Sequence, residues 1–288
     1  MSNTSVIDLP HDRKVSYRFH PVSERVGDYP TLILHHSFAT TLRLYDGCFA
    51  NEEISQLCNI LAVDAFGHGG SSMKEDDQAW TYWDTAQMSL DLMETLGITK
   101  AYVLGTSQGG FVAVRMALLQ PQKVLGLILL GTSMFAESPE TLELGCWDVK
   151  EGLGPLRSAL QSMDPEPSFE PPASFLDAVI SSGFGGCLSE DAVEFWKNST
   201  KAVYDGVAGQ KKLLGSTVCL MDRDGLEKRL REINVPVFVA HGTEDQVYSV
   251  AIAEKGQKAM TNSPRCELEI VEGGKHYLYA SHPDRVHD

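Results

Sequence analysis

The chain has 288 residues, 43% hydrophobic and 22% charged, which is the balance of an ordinary folded protein and a length that suits one large α/β unit. Lys and Arg number 24 against 39 Asp and Glu, a formal charge of −15 with no basic cluster to offset it. That balance disfavours nucleic acid and anionic membrane surfaces as partners. The six cysteines show no CxxC pair and no zinc-like spacing with histidine, so neither a metal nor another cofactor is expected. The start lacks a charged segment followed by an apolar core, and no apolar run approaches a membrane span. A cytoplasmic protein with free thiols is the expectation. The sequon Asn198-Ser199-Thr200 then reads as a polar cluster at a helix end.

In chain order, residues 15–19 alternate with period two and predict a half-buried antiparallel strand. The continuous apolar runs 31–34, 60–63, 101–104, 125–130 and 236–240 predict strands buried on both faces, and 266–271 a last strand. Apolar spacing predicts helices over 85–96 and 108–120, the second ended by Pro121. Strands alternating with helices predict an α/β fold with a doubly wound, mostly parallel sheet.

The stretch 132–234 breaks the rhythm and carries helical pieces at 156–163, 175–180, 190–204 and 226–231 between Pro- and Gly-rich breaks. It predicts a helical cap inserted into a core made of 1–131 and 235–288. Its aromatic residues, Phe135, Trp147, Phe169, Phe175, Phe184, Trp196 and Tyr204, are candidates for a pocket wall.

Gly105-Thr106-Ser107-Gln108-Gly109 lies between a predicted strand and a predicted helix. A serine in so tight a turn sits in a strained backbone conformation, and flanking glycines remove the clashes. The helix N-terminus beneath it favours negative charge. A nucleophilic serine needs an imidazole base, and the base needs a carboxylate to fix its tautomer. Asp245, in His241-Gly242-Thr243-Glu244-Asp245, follows a strand on the rim where parallel sheets bind ligands, and is the expected acid, with Glu244 the neighbouring option. His276 follows the pair Gly273-Gly274 after the last strand and is the expected base.

The order Ser107, Asp245, His276 on three such loops resembles the α/β-hydrolase superfamily over the length of the chain. Asp64-Ala65-Phe66-Gly67-His68-Gly69-Gly70-Ser71 is similar to that family's Asp-x-x-Gly-His-Gly-x-Ser loop, with Phe66 where arginine is common. The loop His35-His36-Ser37-Phe38 resembles that of enol-lactonase relatives. The resemblance implies an oxyanion hole from the amides of Gln108 and Phe38, with Ser37 as the other register. His36, Phe38, Met134, Trp147, Trp196 and Val247 are the candidate substrate contacts. About forty residues, in Gly105–Gly110, Val114–Leu119, Leu130–Met134 and Glu137–Pro139, resemble fungal hydrolases of secondary-metabolite clusters of the host-selective-toxin type.

The function these features imply is a serine hydrolase acting on an ester, lactone or thioester of an apolar, polyketide-like small molecule. Acyl transfer, cyclisation or elimination on the same residues is the alternative, as is a ligand receptor with little turnover. Few residues follow His276, so either the chain is cut short here or the final helix is about two turns long, and the ending Val286-His287-Asp288 is no peroxisomal tripeptide.

Overall fold

The computed structural model describes residues 4–73 and 79–287. Met1–Asn3 and Asp288, read above for targeting signals, lie outside the described residues. The strands are β1 (Ser5–Leu9), β2 (Arg13–His20), β3 (Thr31–His35), β4 (Asn59–Val63), β5 (Ala101–Thr106), β6 (Val124–Leu130), β7 (Val237–Gly242) and β8 (Cys266–Val271). They form one sheet in the order β1-β2-β4-β3-β5-β6-β7-β8, parallel from β4 to β8, with β1 and β2 antiparallel at one edge. Every predicted strand is present, and β1 is additional. Its residues are mostly exposed and pair only with β2, so they carry no buried run that a sequence reading detects.

The helices are α1 (Asp46–Ala50), α2 (Glu52–Leu57), α3 (Tyr82–Thr95), α4 (Gln108–Leu119), α5 (Pro139–Glu143), α6 (Val149–Ser162), α7 (Ala173–Phe184), α8 (Glu190–Val203), α9 (Gly206–Met221), α10 (Val250–Ala259), α11 (Leu278–Ser281) and α12 (Pro283–His287). Helix α4 is buried from Gln108 to Ala117, as a helix that is apolar almost all round must be. Its one cation, Arg115, is 1% exposed and pairs with Asp224, which removes most of the penalty of burying that charge.

Helices α5–α9 lie between β6 and β7, where the sequence predicts a helical insertion. Two details differ. Helix α6 starts at Val149, capped by the Asp148 carboxylate, and runs through Pro155 rather than starting after it. Pro155 is mid-helix, so α6 forgoes one interior hydrogen-bond donor there, and Gly154 before it has no Cβ to clash with the proline ring. Residues 226–231 are a turn and a short 3-10 segment, whereas α9 forms across Gly206, Gly209 and Gly215. Glycine lowers helix propensity, but here it admits close packing: a Cβ on Gly215 would lie 2.2 Å from the Trp80 ring.

The chain runs from β3 outward to β4 and then returns to β5 on the other side of β3. That reversal opens a crevice at the carboxyl ends of β3 and β5, from which the 36–39 loop and Ser107 both emerge.

Candidate active site

Ser107 has φ 53° and ψ −117°, a conformation rare for any residue with a side chain. Three hydrogen bonds impose it: the Ser107 amide donates to Leu130 O (3.0 Å), Gly110 N to Ser107 O (2.9 Å), and Thr132 Oγ1 to Ser107 O (2.7 Å). The flanking glycines are required by space. A Cβ on Gly105 would lie 2.2 Å from Gly109 O, and one on Gly109 would lie 1.9 Å from His35 O. Ser107 occupies the N-cap of α4, yet its hydroxyl makes no capping bond and the residue lines a cavity.

His276 Nδ1 lies 2.9 and 3.0 Å from the two carboxylate oxygens of Asp245. Asp245 also accepts the amides of Val247 (2.8 Å) and Tyr248 (3.0 Å). Burial alone would raise its pKa. The adjacent His276, its hydrogen bond, His241 and the Tyr248 amide outweigh that and hold the carboxyl below the usual carboxylate range. With Nδ1 committed to Asp245, the remaining His276 nitrogen is Nε2, and His276 lines the same cavity as Ser107. Glu244 faces away and pairs with Lys275.

The 36–39 loop is fixed by two neutral histidines. His36 Nε2 accepts Ala65 N–H (3.0 Å) while its Nδ1–H donates to Ser37 O (2.8 Å). His68 Nε2 accepts Ala39 N–H (3.1 Å) while its Nδ1–H donates to Phe66 O (2.9 Å). Each pattern requires an unprotonated Nε2, and burial lowers both pKa values, that of His68 to about 3. Ala39 holds φ 56°. Its amide is spent on His68, whereas the Phe38 N–H has no acceptor among the described residues. The Gln108 side chain is anchored by His68 Nε2 (3.3 Å) and Tyr82 OH (3.1 Å), and its amide, first in α4, has no acceptor within the helix.

Ser37, Phe38, Ser107, Trp147, Val247 and His276 all line one cavity of ≈ 640 Å³, within the range of small-molecule sites. Three expected contacts do not reach it. His36 is 1% exposed with both ring nitrogens bonded, so it supports the loop from behind. Met134 is buried in the core beside α10. Trp196 turns inward from α8 against Phe184, with ring centroids 5.5 Å apart.

Tyr277, which also lines the cavity, carries no motif that announces it. Its hydroxyl reaches Phe38 O at 3.4 Å and its amide donates to Gly183 O of α7 at 2.9 Å, so it joins the histidine loop to the 36–39 loop and to α7. His241, four residues before Asp245, lies 3.4 Å from it and donates to Tyr248 O at 2.8 Å. All six cysteines are free thiols, and no described helix is long and apolar enough to cross a membrane.

A sheet of this order, with these loops at its carboxyl rim, is the α/β-hydrolase architecture. Residues 30–153 match the family model described as alpha/beta hydrolase fold, the fold that the sheet shows. Among curated proteins the chain is 25% identical to the pimeloyl-[acyl-carrier protein] methyl ester esterase of Nitrosomonas europaea, over 91% of this chain and 94% of that one. Among solved structures it is similar to a hydrolase from Pseudomonas aeruginosa PA01, with a TM-score of 0.77, 22% identity and coverage of 99% and 95% of the two chains. It is also similar to the enol-lactonase of Burkholderia xenovorans LB400, with a TM-score of 0.68, 22% identity and coverage of 98% and 96%.

Proposed function

We propose that the protein is a serine hydrolase of esters, lactones or thioesters of an apolar, polyketide-like small molecule, with Ser107, His276 and Asp245 as its triad. The observation that carries this reading is the Asp245–His276 pair facing the same cavity as a serine held at positive φ. Relatives named as esterase, hydrolase and enol-lactonase support the reaction class.

In this mechanism His276 Nε2 takes the Ser107 proton as Oγ attacks the carbonyl carbon. The amides of Gln108 and Phe38, or of Ser37 in the other register, hold the oxyanion, each donor contributing about 3 kcal/mol. His276 then returns the proton to the leaving oxygen or sulfur. Water, deprotonated by His276, attacks the acyl-serine carbonyl, and the acid leaves with Ser107 reprotonated. Asp245 keeps the proton of the resting imidazole on Nδ1 throughout.

Helices α5–α9 serve as the cap in this reading. Exposed residues at the cavity mouth, Pro155 and Ala178 among them, give water access and favour hydrolysis over cyclisation or transfer in a dry site. A place in fungal secondary metabolism rests on the resemblance within 105–139, and a cytoplasmic location on the reading of composition. The test is labelling by a fluorophosphonate probe together with turnover of p-nitrophenyl esters. Wild type should label and turn over, and Ser107→Ala should do neither. Undiminished turnover by Ser107→Ala would refute the mechanism.

A further inference from the structure

The cavity extends as a slot between α6 and α7. Pro155, Leu156 and Ala159 line it from α6, and Phe175, Ala178 and Val179 from α7. Spacings of three and four residues put each set on one helix face. Pro155, Ala159 and Ala178 are exposed, so the cavity meets solvent between these two helices.

Among the described residues, no Asp, Glu, Lys or Arg lines any part of this cavity. Of the charges on the same helices, Arg157 pairs with Asp222 (2.7 Å) and Asp177 with Lys197, and Lys150 and Glu151 sit in the first turn of α6 outside the cavity lining. Close behind the wall is the Asp245 carboxylate, buried and held in its ionised form. Around all of this the chain carries a formal charge of −15.

We propose that the site accepts neutral acyl groups and rejects those whose chain ends in a carboxylate; the proposal rests on the hydrolytic reading of Ser107 given above. A carboxylate inside the mouth, against Leu156, Phe175 and Val179, loses part of its water and meets no cation in return, a desolvation loss that favourable packing of the chain does not offset. The negative field of the chain adds a repulsion that salt screens. Selectivity here comes from the charges the wall lacks, and Ala159 and Ala178 are the positions that set it.

The experiment compares p-nitrophenyl hexanoate, p-nitrophenyl hydrogen adipate and methyl p-nitrophenyl adipate. The second carries a carboxylate in place of the terminal methyl of the first, and the third caps that carboxylate as its methyl ester. The half ester should show kcat/KM about 100-fold below the hexanoate, and methyl capping should restore most of the loss. Higher ionic strength should narrow the gap. Ala178→Arg, and Ala159→Arg across the slot, should each shrink the ratio about tenfold by supplying the missing cation. A half ester within about threefold of the hexanoate would overturn the proposal.

Calorimetry with Ser107→Ala measures binding of the same esters without turnover. Preference for the neutral esters there sustains the proposal even if wild type hydrolyses none of them, a result that would defeat only the reaction assigned to Ser107. Equal affinity for neutral and half esters would defeat the charge selectivity whatever the turnover.

Discussion

Asp245 engages His276 Nδ1 with both carboxylate oxygens, at 2.9 and 3.0 Å, while the amides of Val247 and Tyr248 fix the same carboxylate. Its neighbour Glu244 is turned to Lys275. Asp245→Asn should therefore lower kcat on a p-nitrophenyl ester by about 10⁴-fold, because the amide favours the wrong imidazole tautomer. Glu244→Gln should stay within about threefold, since its exposed ion pair contributes little. Similar losses in the two variants would remove Asp245 from its assigned role.

His68 accepts the amide that follows Phe38 and also touches the Gln108 side chain, so it braces both sides of the proposed oxyanion hole. His68→Ala leaves the Ala39 N–H without its acceptor. We expect kcat to fall about 10- to 100-fold with KM changed far less, a loss realised mainly in the transition state. His68→Gln, whose amide oxygen can accept the same proton, should recover part of the rate. A KM effect with kcat intact would mean that His68 only shapes binding.

Acid should destabilise the fold through the buried histidines. Burial, followed by repulsion from His36, lowers the pKa of His35 and of His68 from 6.5 to about 3. Between those values the unfolded chain binds protons that the native state refuses, so stability falls as pH drops below 6.5. Each histidine contributes a slope of up to about 1.4 kcal/mol per pH unit. The Asp245 pKa is lowered, so its contribution is lost only below the ordinary carboxylate range, and the interval from pH 7 to 5 isolates the histidines. Urea unfolding across that interval should show the slope in wild type and a shallower one in His68→Gln. A flat profile in wild type would contradict the buried, neutral assignment.

Two glycine-to-alanine substitutions should move stability in opposite directions. A Cβ on Gly109 would sit 1.9 Å from the His35 carbonyl oxygen, so Gly109→Ala should cost about 3 kcal/mol or more, or prevent folding. Gly27, in a short 3-10 turn over 26–28, has nothing within 4 Å of such a Cβ and no positive φ, and Gly27→Ala should stabilise by about 0.4–1 kcal/mol. Thermal unfolding of the two proteins checks both signs.

The sequence by itself determined every sheet strand but β1, because runs such as 31–34 and 60–63 are apolar at consecutive positions only where both faces are covered. It also determined the serine turn, since glycines at 105 and 109 are a local steric requirement. Asp245 and His276 were legible as residues of loops that follow identifiable strands. Tertiary structure alone decided which side chains share the cavity. His36, Met134 and Trp196 look as suited to a pocket as Trp147 and Val247 do, but a residue's facing depends on how its helix or loop packs, and periodicity records no partner. Helix α9 escaped for the same reason: its glycines weaken it locally, and Gly215 becomes favourable only against Trp80. The meeting of Ser107 with His276 at one cavity, and of His276 with Asp245, both more than a hundred residues from Ser107 in the chain, likewise exists only once β5 to β8 lie side by side.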